Sequence, residues 1–554
     1  MLGSPSTSGT RADPAPVASV AARTPNTRSP TATNPGGFGR VVLRVSSLTL
    51  LTQVFSFVSS ILIARMLGAT HSTDAYFLGY SVPIFVSTVL LTAVRAGAVP
   101  ALTEQAGRND RAFVTASSEL ISITLISTVL LSLLTTAVAV ALLPLTVGNP
   151  HLVGPAQRDA LALTPLGPFG ALVAALAGIL AVRNHFAAAA LVVGFDPILR
   201  IALLAFFGSS LGTGALVIAN DVGNGVAVLV MWLLVLRAGI PLRLSWPVRS
   251  EFVRRSISVT VPMVICTAAV GMNPVIDRAL TGSLGAGSIT ALELGLRLYG
   301  MPLTLIGATL VGPLTATWAA RRTAGGWNAL RDSVNRGIDT FTMVVPPIVV
   351  LGIVLRHQIV SLIYQGGGYS AHATRQTASV LAMCELGAPA MLLGIVFSTL
   401  FVIEGRAKFV LMTGVVNFAL NAILDITLRT PLGVAGIALS TSLTYTTVLV
   451  IYAAATRRRW PGVKVPFSGP ASVRSGLAAG VMTVVSIALT SAFSGGASRV
   501  QLAAEITLVS LCALAVYLAV LLRRDQRRRL IADVLARFAR PGWSAPEAGQ
   551  TERG

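Results

Sequence analysis

The chain has 554 residues, of which 53% are hydrophobic and only 11% charged, with a formal net charge of +21 and a mean hydropathy of +0.75. That balance excludes an ordinary soluble domain. The cations are nearly all Arg at the ends of apolar runs, so the charge reads as the positive-inside pattern of a multipass membrane protein and not as a nucleic-acid surface.

Residues 1–39, rich in Ser, Thr, Pro, Ala and Gly, are too polar to bury a core and read as a disordered cytoplasmic tail. No apolar segment with a small-residue cleavage site precedes the first hydrophobic run, so no cleavable signal peptide is expected. A spanning helix needs about 20 mostly apolar residues, and Leu120–Val147 alone offers 28 without a charge. This criterion predicts an all-α integral membrane protein of about fourteen helices. They fall at 41–66, 74–100, 115–146, 159–182, 186–208, 211–236, 256–281, 287–317, 337–355, 376–401, 407–428, 431–456, 475–494 and 500–522. With the N-terminus inside, the inner loops carry 19 basic residues, among them Arg237, Arg254 and Arg457 to Arg459, and the outer loops six. Both termini are therefore expected in the cytoplasm, with a basic tail over 524–554 lying along anionic lipid or serving only to fix topology.

Chemistry-bearing motifs are few. Cys266, Cys384 and Cys512 lie within spans without CxxC spacing, and the five His form no ligand pair, so neither a disulfide framework nor a zinc site is expected. Without a P-loop, a GxSxG elbow or a dinucleotide fingerprint, the chain does not read as an enzyme or as an ATP-driven pump.

An internal repeat is visible. Met66-Leu67-Gly68-Ala69 is echoed by Ser283-Leu284-Gly285-Ala286, and Leu211-Gly212 by Leu432-Gly433, at offsets of 217 and 221. Residues 40–238 and 239–456 thus read as duplicated six-helix lobes, with 457–523 holding two appended helices. Parallel repeats of this kind enclose a cavity that opens alternately to either side, which directs attention to charges within the spans. Each such charge is costly and is retained where it pairs or lines a cavity.

In the seventh span Asp277, in the eleventh Asn421 and Asp425, and in the twelfth Thr441 fall at one depth, and the (i, i+4) spacing puts Asn421 and Asp425 on one helix face. Their hard oxygens suit a small cation such as Na⁺. The alternative is that Asp277 pairs with Arg278 or Arg429 and the others cap helix ends. Arg297, deep in the eighth span, suits a phosphate or diphosphate as a planar bidentate donor; the alternative is a pair with Glu293 one turn away. In the first lobe Asp196 and Arg200 read as a neutralising pair. Asp221 is also within a span, and Arg95 has no local partner and is a candidate for the cavity wall. Asp74, after Ser72-Thr73, reads as a helix N-cap.

The text Ala64-Arg65-Met66-Leu67-Gly68-Ala69, Thr73-Asp74-Ala75-Tyr76-Phe77 and Val99-Pro100 resembles the MurJ/MviN family of lipid II flippases in the MOP exporter superfamily. So do Leu284-Gly285-Ala286-Gly287-Ser288, Arg297-Leu298-Tyr299-Gly300-Met301-Pro302, Leu362-Ile363-Tyr364-Gln365-Gly366-Gly367 and Asn417–Asn421 leading into Pro431-Leu432-Gly433-Val434-Ala435-Gly436. The resemblance runs in the same order over about residues 41–520. It implies a fourteen-helix, two-lobed flippase for an undecaprenyl-diphosphate-linked glycan in a bacterial plasma membrane, acting as a monomer. It further implies a sodium site of Asp277, Asn421, Asp425, the Ile437 carbonyl and Thr441, an essential Arg297, and Asp74 as an outer-side residue of the substrate path; Arg95, two turns beyond Ser87, is a candidate substitute for one missing headgroup arginine. The chain departs from the family at Gln53, Ser59 and Ser87, where headgroup-holding arginines are usual. Another lipid-linked polysaccharide is therefore the nearest rival cargo. A cation-coupled exporter of small compounds, a non-transporting scaffold and a glycosyltransferase follow in that order.

Overall fold

The computed structural model describes residues 50–183, 195–243, 250–307, 312–466, 469–493 and 498–522; both expected tails lie outside them. Among the described residues the fold is helical throughout, with no strand. In chain order the helices are α1 (Leu50–Leu67, its last turn a π-turn from Ile63), α2 (His71–Arg108), α3 (Asp110–Thr146), α4 (Pro150–Ala162), α5 (Leu166–Val182), α6 (Phe195–Leu211) and α7 (Gly214–Arg237). They continue as α8 (Glu251–Gly271), α9 (Asn273–Thr281), α10 (Ser288–Ile306), α11 (Gly312–Val354), α12 (Arg356–Ile363), α13 (Ala371–Ile403), α14 (Ala407–Leu432), α15 (Val434–Arg459), α16 (Pro470–Ala492) and α17 (Arg499–Leu521).

Twelve described helices are long and apolar enough to cross a membrane. The two other expected spans fall on α6, whose upstream residues 184–194 lie outside the described set, and on the broken pair α8/α9. The break has a cause in sequence: Pro274, in the first turn of α9, lacks an N–H, and its ring disfavours a helical carbonyl four residues earlier.

Burial follows membrane rules. Along α3, Thr124, Thr128, Ser132 and Thr136 are buried at four-residue spacing, whereas Leu130, Leu133 and Leu134 are exposed. Small polar residues let helices approach and the leucines meet lipid; Ser132 lies against Gly167 of α5 so closely that a Cβ there would clash.

One hydrophobic core joins α10, α11, α13 and α15 around Trp318, Phe341 and Phe397. Another joins α2, α3, α5 and α7 around Leu102, Phe113 and Met231. The appended helices dock on α11 through specific bonds, Ser475 Oγ donating to the Thr342 carbonyl (2.6 Å) and Tyr517 Oη to that of Met343 (2.7 Å). Residues of α2 contact α8, α9 and α10 and so bridge the two halves.

Candidate functional site

The Pro274 break starts α9 one turn before Asp277 and aims it at α14. Asn421 Nδ2 donates both to Asp277 Oδ1 (2.9 Å) and to Asp425 Oδ2 (2.8 Å). Ser440 of α15 donates to the other Asp425 oxygen and to the Ile437 carbonyl, the latter at 2.7 Å. All of these residues are buried, and Asn421 Oδ1 has no hydrogen-bond partner among the described residues. Of the expected set, Asp277, Asn421 and Asp425 are thus together, with Ile437 joined through Ser440. Thr441 touches the group only through its own helix, donating to the Ile437 carbonyl at 3.3 Å.

Two carboxylates held by one amide in an apolar interior cannot both remain ionised without a compensating positive charge. Arg278 makes no hydrogen bond to either carboxylate, because its guanidinium turns to Glu293, with Nη2 at 2.7 Å and Nε at 3.2 Å. The donors are all oxygens, and among the described residues no group of three or more His, Cys, Asp and Glu side chains is placed to hold a metal ion. An unpartnered amide oxygen, two carboxylates, a carbonyl and hydroxyls fit a hard monovalent cation. Ser440 was missed from sequence; its signal is the three-residue spacing from Ile437, which sets its hydroxyl by that carbonyl.

Arg297 also meets Glu293, its Nε 3.3 Å from Oε1, so this carboxylate lies between two guanidinium groups. The local pair is real, yet Arg297 engages it by Nε alone. Its side chain retains 21% exposure and its guanidinium carbon sits 6.0 Å from the centre of the Phe77 ring of α2. Its two Nη groups have no protein partner among the described residues, which leaves the bidentate edge free at the junction of the two halves.

Asp74, which the resemblance implies as a substrate residue, is engaged here by protein groups. It is fully buried, with Oδ2 accepting from the Gly287 N–H (2.7 Å) and Oδ1 from the Thr290 N–H (2.8 Å) and hydroxyl (2.6 Å). It caps α10 from across the lobe boundary, while Thr70 caps its own helix. An anion on the unsatisfied N–H groups of a helix start is stabilised by hydrogen bonding and by the helix dipole. The repeated Leu-Gly-Ala loops meet here: Gly287 (φ 82°) lies against Ala69, and a Cβ on it would stand 2.8 Å from the Ala69 carbonyl. Beside them Arg65 Nη2 donates to the carbonyls of Leu362 (3.1 Å) and Ile363 (2.8 Å), and the Gly368 N–H to the Arg65 carbonyl (2.7 Å).

Asp74→Asn, by removing the charge from three hydrogen bonds, is expected to weaken this contact by about 1.5–3 kcal/mol. Spin labels at Ser72 and Ala286 check it: the variant should show a longer distance, and an unchanged distribution would mean that Asp74 does not hold the lobes together.

In the first lobe Arg200 Nη2 pairs with Asp196 (2.6 Å) and donates to Asn220 Oδ1 (3.0 Å), while Asn220 Nδ2 donates to Tyr76 Oη (2.6 Å). This network ties α6, α7 and α2 together. Of the three positions where arginines were expected, Gln53 is exposed, Ser59 is buried with its hydroxyl unpartnered, and Ser87 packs tightly against Gly170 of α5. Arg95 is on α2, and its side chain lies outside the described residues.

A bundle of helices long and apolar enough to cross a membrane, with ionisable groups buried between them, is the architecture of a polytopic membrane protein. The family model described as lipid II flippase MurJ matches residues 63–509, and the chain belongs to that family, whose members transport and do not catalyse. It is 26% identical over 410 residues to the "Probable lipid II flippase MurJ" of Rhizobium tropici, covering 72% of this chain and 77% of the relative. In fold it is similar to a lipid II flippase MurJ solved in an inward closed conformation, with TM-score 0.71 at 19% identity over 87% of this chain and 100% of the other. An inward-facing MATE multidrug transporter of the MOP superfamily gives TM-score 0.60 at 16% identity, over 76% and 98%.

Proposed function

We propose that the chain moves an undecaprenyl-diphosphate-linked glycan, lipid II in the first instance, from the inner to the outer leaflet of a bacterial plasma membrane. The observation that carries this reading is Arg297: a guanidinium edge left free at the lobe junction of a chain that matches the lipid II flippase family over most of its length. Transport runs by alternating opening of the two lobes, with both termini cytoplasmic and the protein acting as a monomer. The Asp74 and Arg65 contacts then close the outer face in the arrangement described here. Na⁺ binding by Asp277, Asn421 and Asp425, with the Ile437 carbonyl and the hydroxyls of Ser440 and Thr441, would supply the positive charge those carboxylates lack and couple the cycle to the ion gradient. Arg95 is the candidate for a second headgroup cation, and Asp74 belongs to the gate rather than to the cargo.

Another lipid-linked glycan is the second reading, favoured by the small or neutral side chains at Gln53, Ser59 and Ser87. Growth of a strain depleted of its own lipid II flippase separates the two. Rescue by this chain supports lipid II, whereas failure despite normal membrane levels assigns it another glycan on the same carrier.

A further inference from the structure

Away from the lobe junction, a polar pocket of about 340 Å³ opens where α12, the start of α13, the end of α16 and the start of α17 meet. It lies at the membrane face that carries the Asp74 contact, since Arg65 bonds the carbonyls at the end of α12. One wall carries Arg375, an exposed residue whose side chain has no hydrogen-bond or ion-pair partner among the described residues; the other carries Glu505, which is 6% exposed. Among the described residues the Glu505 carboxylate accepts only from Gln358 Nε2, at 3.2 Å. The two opposite charges share one cavity and do not pair with each other.

A ligand with a single charge would satisfy one wall and leave the other uncompensated, which is costly for the nearly buried Glu505. A ligand carrying both charges compensates both. His357, also on the wall, is held below its usual range by burial and then by Arg356 and Arg375. It is therefore neutral at neutral pH and adds hydrogen bonding without adding charge. Phe493, 42% exposed, and Leu502 also line the pocket, and α17, which is long and apolar enough to cross a membrane, carries the exposed Leu508 and Leu511 beyond it. The ligand's body is accordingly expected to run into hydrocarbon.

We propose that this pocket binds the headgroup of a zwitterionic phospholipid with a primary ammonium, phosphatidylethanolamine in chemical class, its phosphate on Arg375 and His357 and its ammonium on Glu505. A trimethylammonium group cannot donate to Glu505 and a glycerol headgroup brings no positive charge, so the site should discriminate among lipids of identical chains.

The test is native mass spectrometry of the full-length protein equilibrated with equal amounts of phosphatidylethanolamine, phosphatidylcholine and phosphatidylglycerol. The wild type should retain phosphatidylethanolamine roughly tenfold over the other two, the effect of one charge-assisted hydrogen bond. Glu505→Gln, nearly isosteric, should erase that preference while total lipid retention persists, and Arg375→Ala should lower retention of all three. Equal retention by the wild type, a preference for phosphatidylglycerol, or an unchanged preference in Glu505→Gln would overturn the proposal. Full displacement by free phosphoethanolamine would overturn the membrane-lipid assignment in favour of a soluble ligand. The measurement contains no glycan cargo, so its outcome is independent of the transport reading.

Discussion

Arg297→Ala is expected to lower flipping about a hundredfold or more while leaving the protein folded. A charge-assisted hydrogen bond to phosphate contributes about 1.5–3 kcal/mol, and the free guanidinium edge can make two. Loss of the pair therefore corresponds to at least two powers of ten in headgroup capture. Folding should survive because Glu293 keeps its shorter, two-bonded partner Arg278, so no buried carboxylate is orphaned. Arg297→Lys should retain part of the rate, having the charge without the planar fork. Arg278→Ala is the contrasting control: it leaves Glu293 with a single 3.3 Å contact and should reduce thermal stability. Flipping assays on the three purified variants, each paired with a melting curve, check the set. Wild-type rates in Arg297→Ala would remove this residue from headgroup binding.

The second large effect concerns sodium. Asp425→Asn should abolish Na⁺-dependent stabilisation, which for the wild type reaches about 2.7 kcal/mol at a hundredfold excess over the dissociation constant. In Na⁺-free buffer the same variant should be at least as stable as the wild type, because replacing one carboxylate relieves the repulsion between Asp277 and Asp425. Melting in NaCl against choline chloride at equal ionic strength measures both. A wild type indifferent to Na⁺ at every concentration would make the cluster structural and sever the proposed coupling.

Much of this arrangement was legible in the sequence, and the part that was not has a common cause. Spans announce themselves by length and by Arg at their ends, because the hydrocarbon core fixes how many apolar residues a helix needs. Asn421 and Asp425 could be paired in advance through helical spacing, and the depth of Asp277 followed from counting into its span. Glu293 and Arg297 were one turn apart and equally local. Arg278, however, joins that pair from the far side of a loop, and nothing in its neighbourhood distinguishes a partner in α10 from Asp277 beside it. Asp74 shows the same limit more sharply. A carboxylate at a helix start reads as a cap for its own helix, whereas its hydrogen bonds go to Gly287 and Thr290, more than 200 residues away. Only the packing of two lobes through their repeated Leu-Gly-Ala loops brings that second helix start within reach. Burial of Ser87 against Gly170 was likewise invisible, since it depends on which face of α2 meets α5.

The central claim is that this chain carries lipid II across the membrane, and the most direct measurement is exposure of lipid II at the cell surface. Cells depleted of their own flippase and supplied with this chain would be treated from outside with an enzyme that cleaves accessible lipid II. The account predicts cleavage with the wild type and protection with Arg297→Ala at the same membrane level. Lipid II that stays protected in cells holding abundant wild-type protein would contradict it.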